Sequence, residues 1–253
     1  MPITVKSSRE IELMTEAGRI LEIVHKELEK ALHPGMTTKA IDRLGEEIIR
    51  SYGCIPSFLD YNGYPASICV SVNDEVVHGI PSEHRIIREG DIVSLDAGVI
   101  YKGYHSDAAR THCVGEVSKE AQDLVRVTRE CFFEGIKYAK EGNHLFDISG
   151  AIGRYAEERG YGVVRDLCGH GIGTALHEAP EIPNYAMKRK GVLLKAGMTL
   201  AIEPMINIGG WEVDWMDDDW TVVTRDHSLS AHYENTVLIT ENEPKLLSLT
   251  EGI

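Results

Sequence analysis

The sequence lacks long hydrophobic runs and a secretory leader. None of its 253 residues lies in a run approaching the roughly 18 to 20 consecutive apolar residues that a membrane-spanning helix needs. The N-terminus also lacks the basic-then-apolar layout of a signal peptide. Hydrophobic residues still make up 43% of the chain, which is enough for a substantial core. We therefore expect a soluble, unsecreted protein with no membrane partner.

Cysteine occurs in an arrangement that supports neither a disulfide framework nor a thiolate zinc site. The chain has five cysteines, an odd number, at irregular spacing and without a CxxC pair. They are Cys54, Cys69, Cys113, Cys131 and Cys168. This usage fits a reducing compartment, and we predict a cytoplasmic location.

Positive charge is scarce relative to negative charge. The chain carries 26 Lys and Arg against 40 Asp and Glu, a formal net charge of −14. A protein that binds a phosphate backbone tightly draws on clustered positive charge, so we expect no specific nucleic-acid binding. A solvated acidic surface is the ordinary interpretation, and the question is whether some carboxylates are buried.

Apolar periodicity predicts helices followed by strands. Apolar residues at alternating spacings of three and four predict helices over 8–32 and about 38–52, with Gly53 as a C-terminal cap. Short β-branched runs then predict strands over 68–72, 76–80 and 92–95.

The same order begins again after Ser118. Helices are predicted over about 119–140 and 147–159, followed by strands. The segment 90–96 can be laid over 197–203, because each has a glycine, a short apolar strand and then a carboxylate. An internal duplication explains this likeness, and chance similarity of buried strands is the alternative. We predict one α+β domain, 1–253, with pseudo-twofold halves of about 1–115 and 116–253.

Two aspartates are spaced so that a hairpin would bring them together. Asp96 ends an apolar strand, and Asp107 follows it with Tyr101-Lys102-Gly103 midway. A hairpin closing there would place them directly opposite, with Cβ atoms about 5 Å apart. Two charges about 4 Å apart repel by roughly 4 kcal/mol at an effective dielectric near 20, so a raised pKa or a bound cation must offset them. The alternative is an open hairpin with both side chains in water. His112, at an odd offset from Asp107, would face the other way.

Further carboxylates and histidines occur at predicted strand ends. Glu203 lies inside an apolar strand, where an unpaired charge is rarely buried, and Glu234 precedes the final strand. His78 and His170 are each followed by glycine, and His177 comes shortly after. Taken singly, such residues are usually solvated or turn-forming. Together with the two aspartates they suit a two-metal hydrolytic site, with oxygen ligands for divalent ions and imidazoles for the substrate.

These residues resemble a known family. Asp96, Asp107, His170, Glu203 and Glu234 occur in the contexts SLDAG, HSDAART, CGHGIG, AIEPM and HYENTV. This pattern resembles the five metal ligands of the methionine aminopeptidases, and NGYPASICVSVNDEVVHGIP extends the likeness over essentially the whole chain. The resemblance implies the pita-bread α+β fold, with helices outside a curved antiparallel sheet around a dinuclear site. The short segment between His177 and Glu203 and the short N-terminus resemble the bacterial type 1 form.

The resemblance also implies roles for individual residues. Asp96 and Glu234 would bridge two divalent ions (Co, Mn, Fe or Zn), Asp107 would complete one site, and His170 and Glu203 the other. The imidazoles His78 and His177 would contact the scissile peptide and its oxyanion. The pocket for the methionine side chain would be lined by Phe58, Tyr61, Tyr64, Cys69, Leu176 and Trp220. Some members carry Cys, His and Phe where this chain has Phe58, Asn62 and Leu176, which leaves the fine substrate preference open.

The implied activity is removal of N-terminal methionine before a small second residue. We expect a hydroxide bridging the two ions to attack the amide, with Glu203 as the base. The partners implied are nascent protein N-termini and, by resemblance, the ribosome, with the chain acting as a monomer. The alternatives are an Xaa-Pro aminopeptidase or prolidase, and a metal-free pita-bread module that binds proteins. The acidic, aromatic segment 211–220 is either a loop at the pocket mouth or a solvated hairpin turn.

Overall fold

The structure is a computed structural model that describes residues 3–249. Within this range the chain forms four α-helices: α1 (Ser8–Ala31), α2 (Thr38–Ser51), α3 (Lys119–Ile136) and α4 (Leu145–Glu157). None of the helices in the described range is long and apolar enough to cross a membrane.

Local capping explains where the helices begin and end. At the start of α1, the Ser7 hydroxyl accepts from the Glu10 N–H, and the Glu10 carboxylate accepts from the Ser7 N–H, which is a capping box. The predictions for α1 and α2 are confirmed within a residue. The prediction for α3 was too long, because the chain leaves the helix after Ile136 and Lys140 pairs with Thr240 in a β-bridge. Helix α4 begins before its predicted start, since the Asp147 carboxylate accepts the backbone N–H of the N-cap residue.

Fifteen strands are formed within the described range, together with a 3₁₀ turn at Tyr61–Gly63. The strands before α3 are β1 (Ile55–Pro56), β2 (Ile68–Val72), β3 (Glu75–Val77), β4 (Ile92–Tyr101) and β5 (Tyr104–Cys113). The strands after α4 are β6 (Gly162–Val163), β7 (Gly169–Gly171), β8 (Glu178–Ile182), β9 (Thr199–Ile202), β10 (Met205–Asn207), β11 (Val213–Trp215), β12 (Val222–Thr224), β13 (Ser230–His232), β14 (Asn235–Leu238) and β15 (Lys245–Leu246).

The strands form antiparallel sheets, which confirms the α+β class. In the four-stranded sheet of the first half, β4 pairs with β1, β2 and β5. A five-stranded sheet in the second half has the order β15-β14-β9-β7-β8. Two three-stranded sheets, β13-β10-β6 and β11-β12-β3, complete the described strands.

The β4–β5 hairpin is closed, but its predicted register was wrong. The turn consists of Lys102 and Gly103, both at positive φ, so Tyr101 pairs with Tyr104. As a consequence Asp96 lies opposite Ala109, and Asp107 lies opposite Gly98. The shift is even, so the two aspartates still share one face of the sheet, as diagonal neighbours.

Strands β4 and β9 begin in the same way in the two halves. Gly90 and Gly197 both have φ of +91°. The Gly90 N–H donates to Val114 O and the Gly197 N–H to Ile239 O, at 2.8 and 2.9 Å. In return, the Val114 N–H donates to Asp91 O, and the Ile239 N–H donates to Met198 O. The likeness between segments 90–96 and 197–203 therefore extends to their hydrogen bonds.

The core is divided between the halves, and several strand contacts join them. Apolar residues of α1 and α2 pack on the first sheet, and those of α3 and α4 pack on the strands of the second half. Strands β5 and β14 meet between them, where the Asp107 N–H donates to Thr236 Oγ1 at 2.8 Å and the Glu234 N–H donates to Ala109 O at 3.0 Å. This contact brings the predicted ligands of the two halves together.

We expect Gly18→Ala to destabilise the fold, although alanine favours helices. A Cβ at Gly18 in α1 would collide with the backbone carbonyl of Leu247, which cannot move without shifting the C-terminal segment. The expected loss in the free energy of unfolding is about 1–3 kcal/mol. The matched control is Gly150→Ala in α4, where the Cβ would meet only the flexible end of Arg154 and should stabilise the protein by up to about 1 kcal/mol. Urea unfolding of both variants measures the difference, and equal stabilisation would contradict the close approach.

Candidate metal centre

The five predicted ligands converge from strands of both halves. Asp96 lies on β4 and Asp107 on β5, while His170 lies on β7. Glu203 directly follows β9, and Glu234 stands between β13 and β14. All are buried except Glu203, of whose side chain 14% is exposed. The hairpin of the first half and the sheet of the second half thus supply opposite walls of one site.

The distances between these side chains suit a cation. His170 Nε2 lies 3.5 Å from Glu203 Oε1 and 3.9 Å from Asp107 Oδ2. Ligand atoms of Asp107, His170 and Glu234 all lie within 4.8 Å of one another. One oxygen each of Asp96, Asp107 and Glu234 is buried without a hydrogen-bond partner in the described part of the chain. Unpartnered buried carboxylate oxygens are costly, and a bound cation satisfies them.

Burial raises the pKa of each of the four carboxylates, and repulsion between them raises the pKa of three of them further. Burial raises the pKa of Asp96 to about 7. Burial, with the nearby charges of Asp96 and Glu203, raises the pKa of Asp107 well above its usual value. The pKa values of Glu203 and Glu234 are also raised, first by burial and then by the neighbouring carboxylates. The four groups therefore resist ionising together unless positive charge is supplied.

His170 is held in the tautomer that a metal ligand needs. Its Nδ1 lies 2.9 Å from Gly171 O, so Nδ1 carries the proton and donates it to that carbonyl. Its Nε2, which faces Asp107 and Glu203, is then left with a free lone pair. Burial lowers the pKa of His170 to about 3, which keeps the ring neutral. A backbone acceptor behind a coordinating imidazole is the usual arrangement in metal sites.

A cavity of about 310 Å³ lies over this cluster. Its floor contains Asp96, Asp107, His170, Glu203 and Glu234. Every residue predicted to bind substrate also lines it: Phe58, Tyr61, Tyr64, Cys69, His78, Leu176, His177 and Trp220. The sequence reasoning missed Val77, Asp166, Leu167, Cys168 and Met205, which carried no motif signal. The cavity therefore has charged groups on its floor and mainly apolar and aromatic walls.

His78 is positioned by a break in its strand. The predicted strand over 76–80 was too long, because β3 ends at Val77 and His78 has a φ of +59°. A non-glycine residue at positive φ is uncommon and is held there by its surroundings. The next residue, Gly79, packs against the backbone of Val70, where a Cβ would clash. Burial lowers the pKa of His78 to about 4, so the ring is neutral.

His177 is oriented by its aromatic neighbours. Its Nδ1 lies 2.7 Å from the Tyr61 hydroxyl, and its ring centroid lies 4.2 Å from that of His170. Trp220 packs edge-on against Tyr64, at 5.1 Å between ring centroids. Burial lowers the pKa of His177 as well. The cavity thus holds two neutral imidazoles above the carboxylate floor, each able to donate one hydrogen bond.

Other predicted features take definite places. His112 lines a second cavity of about 450 Å³ and not the first, which confirms that it faces away from Asp107. The segment 211–220 contributes to the β11–β12 hairpin, with Trp215 exposed and Trp220 on the first cavity. The segment is therefore a solvent-exposed hairpin at Trp215 and part of the cavity wall at Trp220.

Three supporting residues were not identified from the sequence. The partly buried Arg110 donates to the carbonyl of Glu234 and, at 2.6 Å, to Asn235 Oδ1. Thr236 bonds across to the backbone of Asp107. His232 lies beside Glu203 and Glu234. Only His232 had a usable signal, since it stands two residues before Glu234 in an extended segment.

Comparisons with known proteins agree with this geometry. Residues 12–241 match the sequence profile of metallopeptidase family M24. The chain is 54% identical over 249 residues to a methionine aminopeptidase from Clostridium acetobutylicum, covering 98% of this chain and 100% of that protein. A solved methionine aminopeptidase from Thermotoga maritima is similar with 46% identity and a TM-score of 0.96, over 98% of this chain and 99% of that one. A solved Xaa-Pro dipeptidase from Bacillus anthracis is 26% identical with a TM-score of 0.79, and this chain covers 63% of it.

The likeness runs nearly end to end in the methionine aminopeptidases but covers only part of the dipeptidase. The pita-bread fold expected from the resemblance is confirmed. The chain belongs to metallopeptidase family M24 and, within it, to the methionine aminopeptidases.

Proposed function

We propose that this protein is a metal-dependent exopeptidase that removes the N-terminal methionine from peptides and nascent proteins with a small second residue. The observation that carries this proposal is the cavity itself, in which four carboxylates, three of them buried, and a neutral imidazole form the floor beneath apolar walls. A methionine side chain suits such walls, because it is apolar, unbranched and polarisable. The names of the relatives support the same activity.

The proposed metal ligands are Asp96, Asp107, His170, Glu203 and Glu234. Their unpartnered oxygens and the free Nε2 of His170 fit two divalent cations, for which Mn, Fe, Co or Zn remain candidates. When bound, such cations lower the pKa of a coordinated water and polarise a carbonyl. Attraction to the cations then offsets the repulsion between the carboxylates.

The remaining steps belong to side chains of the cavity. We propose that Glu203 takes a proton from the attacking water and passes it to the leaving amine. Its raised pKa suits a group that must both accept and release a proton. His78 and His177, both neutral, would donate to the substrate amide and to the developing oxyanion. The Tyr61 hydroxyl holds the His177 ring in place.

The pocket walls would select the side chain, and the floor would select the chain end. Phe58, Tyr61, Tyr64, Cys69, Leu176 and Trp220 are the proposed contacts for methionine. The free α-amino group of the substrate would bind at the floor, where carboxylates concentrate negative charge. This arrangement accounts for exopeptidase action without a separate recognition site.

The wider setting also remains a proposal. We propose that 1–253 acts as a single catalytic domain with halves of about 1–115 and 116–253, since the strands after Gly90 and Gly197 have matching hydrogen bonds. The structure describes 3–249, so the outermost residues lie outside it. Cytoplasmic location, a monomeric state and association with the ribosome stay predictions from the sequence.

A panel of tripeptides tests the activity. With added Mn²⁺ or Co²⁺, we expect cleavage of Met-Ala-Ser but not of Leu-Ala-Ser, Met-Lys-Ser or Ala-Pro-Ser. Released amino acid is measured by chromatography, with chelator-treated protein as the control. Cleavage of Ala-Pro-Ser alone would instead support the Xaa-Pro aminopeptidase alternative, and tight binding without cleavage or metal would support a binding module.

Replacing Glu203 tests its role as the proton carrier. We expect Glu203→Gln to lower kcat by about 10²–10⁴-fold with a much smaller change in KM, because the amide cannot relay the proton. The matched control is Glu181→Gln, an exposed position on β8 opposite His170, which should retain activity. Steady-state kinetics at saturating metal separates the two parameters. Retained turnover in Glu203→Gln would exclude Glu203 as the base.

The carboxylate pKa values predict how metal binding depends on pH. Burial raises the pKa of Asp96 to about 7 in the metal-free protein, so below that pH a proton occupies the ligand and the cation must displace it. The apparent affinity for Mn²⁺ should therefore fall by about tenfold or more from pH 8 to pH 6. His170, with a pKa of about 3, adds nothing in this range. Calorimetric titration of the metal-free protein measures this change in affinity, and an affinity that does not vary with pH would contradict the ligand set.

A further inference from the structure

His232 is a buried histidine without hydrogen-bond partners beside the candidate metal centre. Its side chain is 2% exposed, and neither ring nitrogen has a partner in the described part of the chain. Nε2 lies 3.9 Å from Glu203 Oε2 and 4.0 Å from Glu234 Oε2. Hydrogen bonds of this type are about 2.7–3.2 Å long, so a movement of about 1 Å would complete one. A buried polar ring left unpaired is unusual enough to require an explanation.

The strand registers give His232 a counterpart in the first half. Asp107 pairs with Gly98 across β4 and β5, and His232 pairs with Met205 across β10 and β13. The number of residues from Gly90 to Gly98 equals that from Gly197 to Met205. Likewise, Asp107 precedes Val114 by as many residues as His232 precedes Ile239. Since Gly90–Val114 and Gly197–Ile239 make equivalent hydrogen bonds, His232 occupies the position of Asp107 in the second half.

The backbone of His232 is fixed, so its ring has a defined direction. The His232 N–H donates to Thr111 Oγ1, and the Thr111 hydroxyl lies 2.9 Å from His232 O. These contacts tie β13 to β5, the strand that carries Asp107. Glu234 follows two residues later and projects to the same side of the extended chain. The ring is thereby directed at the carboxylates from behind, while the substrate cavity lies in front of them.

The chemistry of the ring suits a hydrogen-bond donor. The ring is buried, and a neutral imidazole has one N–H, which can lie on either ring nitrogen. Ionised carboxylates only accept hydrogen bonds, so they favour the tautomer with the proton on Nε2. A neutral donor also adds no charge to a site in which the ligands already match two divalent cations.

We propose that His232 is a positioning residue of the metal centre, whose Nε2–H donates to the carboxylates of Glu203 and Glu234 and holds their free oxygens toward the cations. This inference rests on the proposed ligand set. Outer hydrogen bonds of this kind orient a ligand before the metal arrives, so they raise affinity as well as activity. His232 itself touches neither substrate nor cation in this arrangement.

A pair of variants of matched size tests the donor. His232→Gln keeps an N–H donor, whereas His232→Met has similar length and no donor. We expect His232→Met to weaken Mn²⁺ binding to the metal-free protein by about 10–100-fold, and His232→Gln to retain most of the affinity. Calorimetric titration measures binding without any need for turnover. The control pair is His112→Gln and His112→Met, at a partly buried histidine whose buried Nε2 has no hydrogen-bond partner in the described part of the chain, where both variants should bind Mn²⁺ as the wild type does.

The outcomes separate this inference from the proposed function. Failure of the wild type to bind Mn²⁺ would contradict the ligand set itself. If the wild type binds Mn²⁺, two results would overturn only the donor role of His232. One is an undiminished Mn²⁺ affinity in His232→Met, and the other is an equal loss of affinity in both His232 variants. Nitrogen NMR of the Zn²⁺-loaded wild type is independent of whether His232→Met folds. There we expect the nitrogen signal of a protonated Nε2 at His232, which is assigned because it disappears in His232→Gln. A signal typical of a metal-bound Nε2 would overturn the proposal.

Discussion

The structure depends on tolerating four carboxylates in one buried site. Asp96, Asp107, Glu203 and Glu234 each lose water on folding, and repulsion from neighbouring carboxylates also raises the pKa values of Asp107, Glu203 and Glu234. Such repulsion is worth several kcal/mol at the distances involved, a large fraction of the stability of a domain. The fold can hold these groups together only because the strands that carry them are fixed elsewhere, and because protons or cations neutralise them.

The fixing is done by backbone contacts between the halves. Thr236 bonds both the N–H and the carbonyl of Asp107, so β5 and β14 cannot separate without unsatisfying buried groups. Arg110 adds a partly buried cation that donates to the carbonyl of Glu234 and to the side chain of Asn235, and its Cζ lies 4.5 Å from the centroid of the Tyr233 ring. The predicted ligands from both halves are therefore held in place through contacts made to their main chain.

The convergence of these five side chains could be expected from the sequence because their signals are local. A carboxylate at the end of an apolar strand, as at Asp96 and Glu203, is visible in a short window. The hairpin register was wrong by two residues, because the predicted pairing centred the turn one residue before its actual centre between Lys102 and Gly103. The face was still right because the error was even. The left-handed backbone of His78 and the contact of Arg110 with Glu234 depend on distant chain segments, so no local pattern reveals them.

The two halves are similar in register but unequal in charge, and that inequality is what the chemistry needs. Asp96 and Glu203 stand at equivalent positions, whereas Asp107 is matched by His232. A carboxylate in place of His232 would add a fifth negative charge to a site whose four carboxylates already balance two divalent cations. Being buried, that extra charge would have no water to stabilise it. A neutral imidazole at this position keeps the balance and still supplies a donor, so the departure from symmetry follows from the charge that the site can hold.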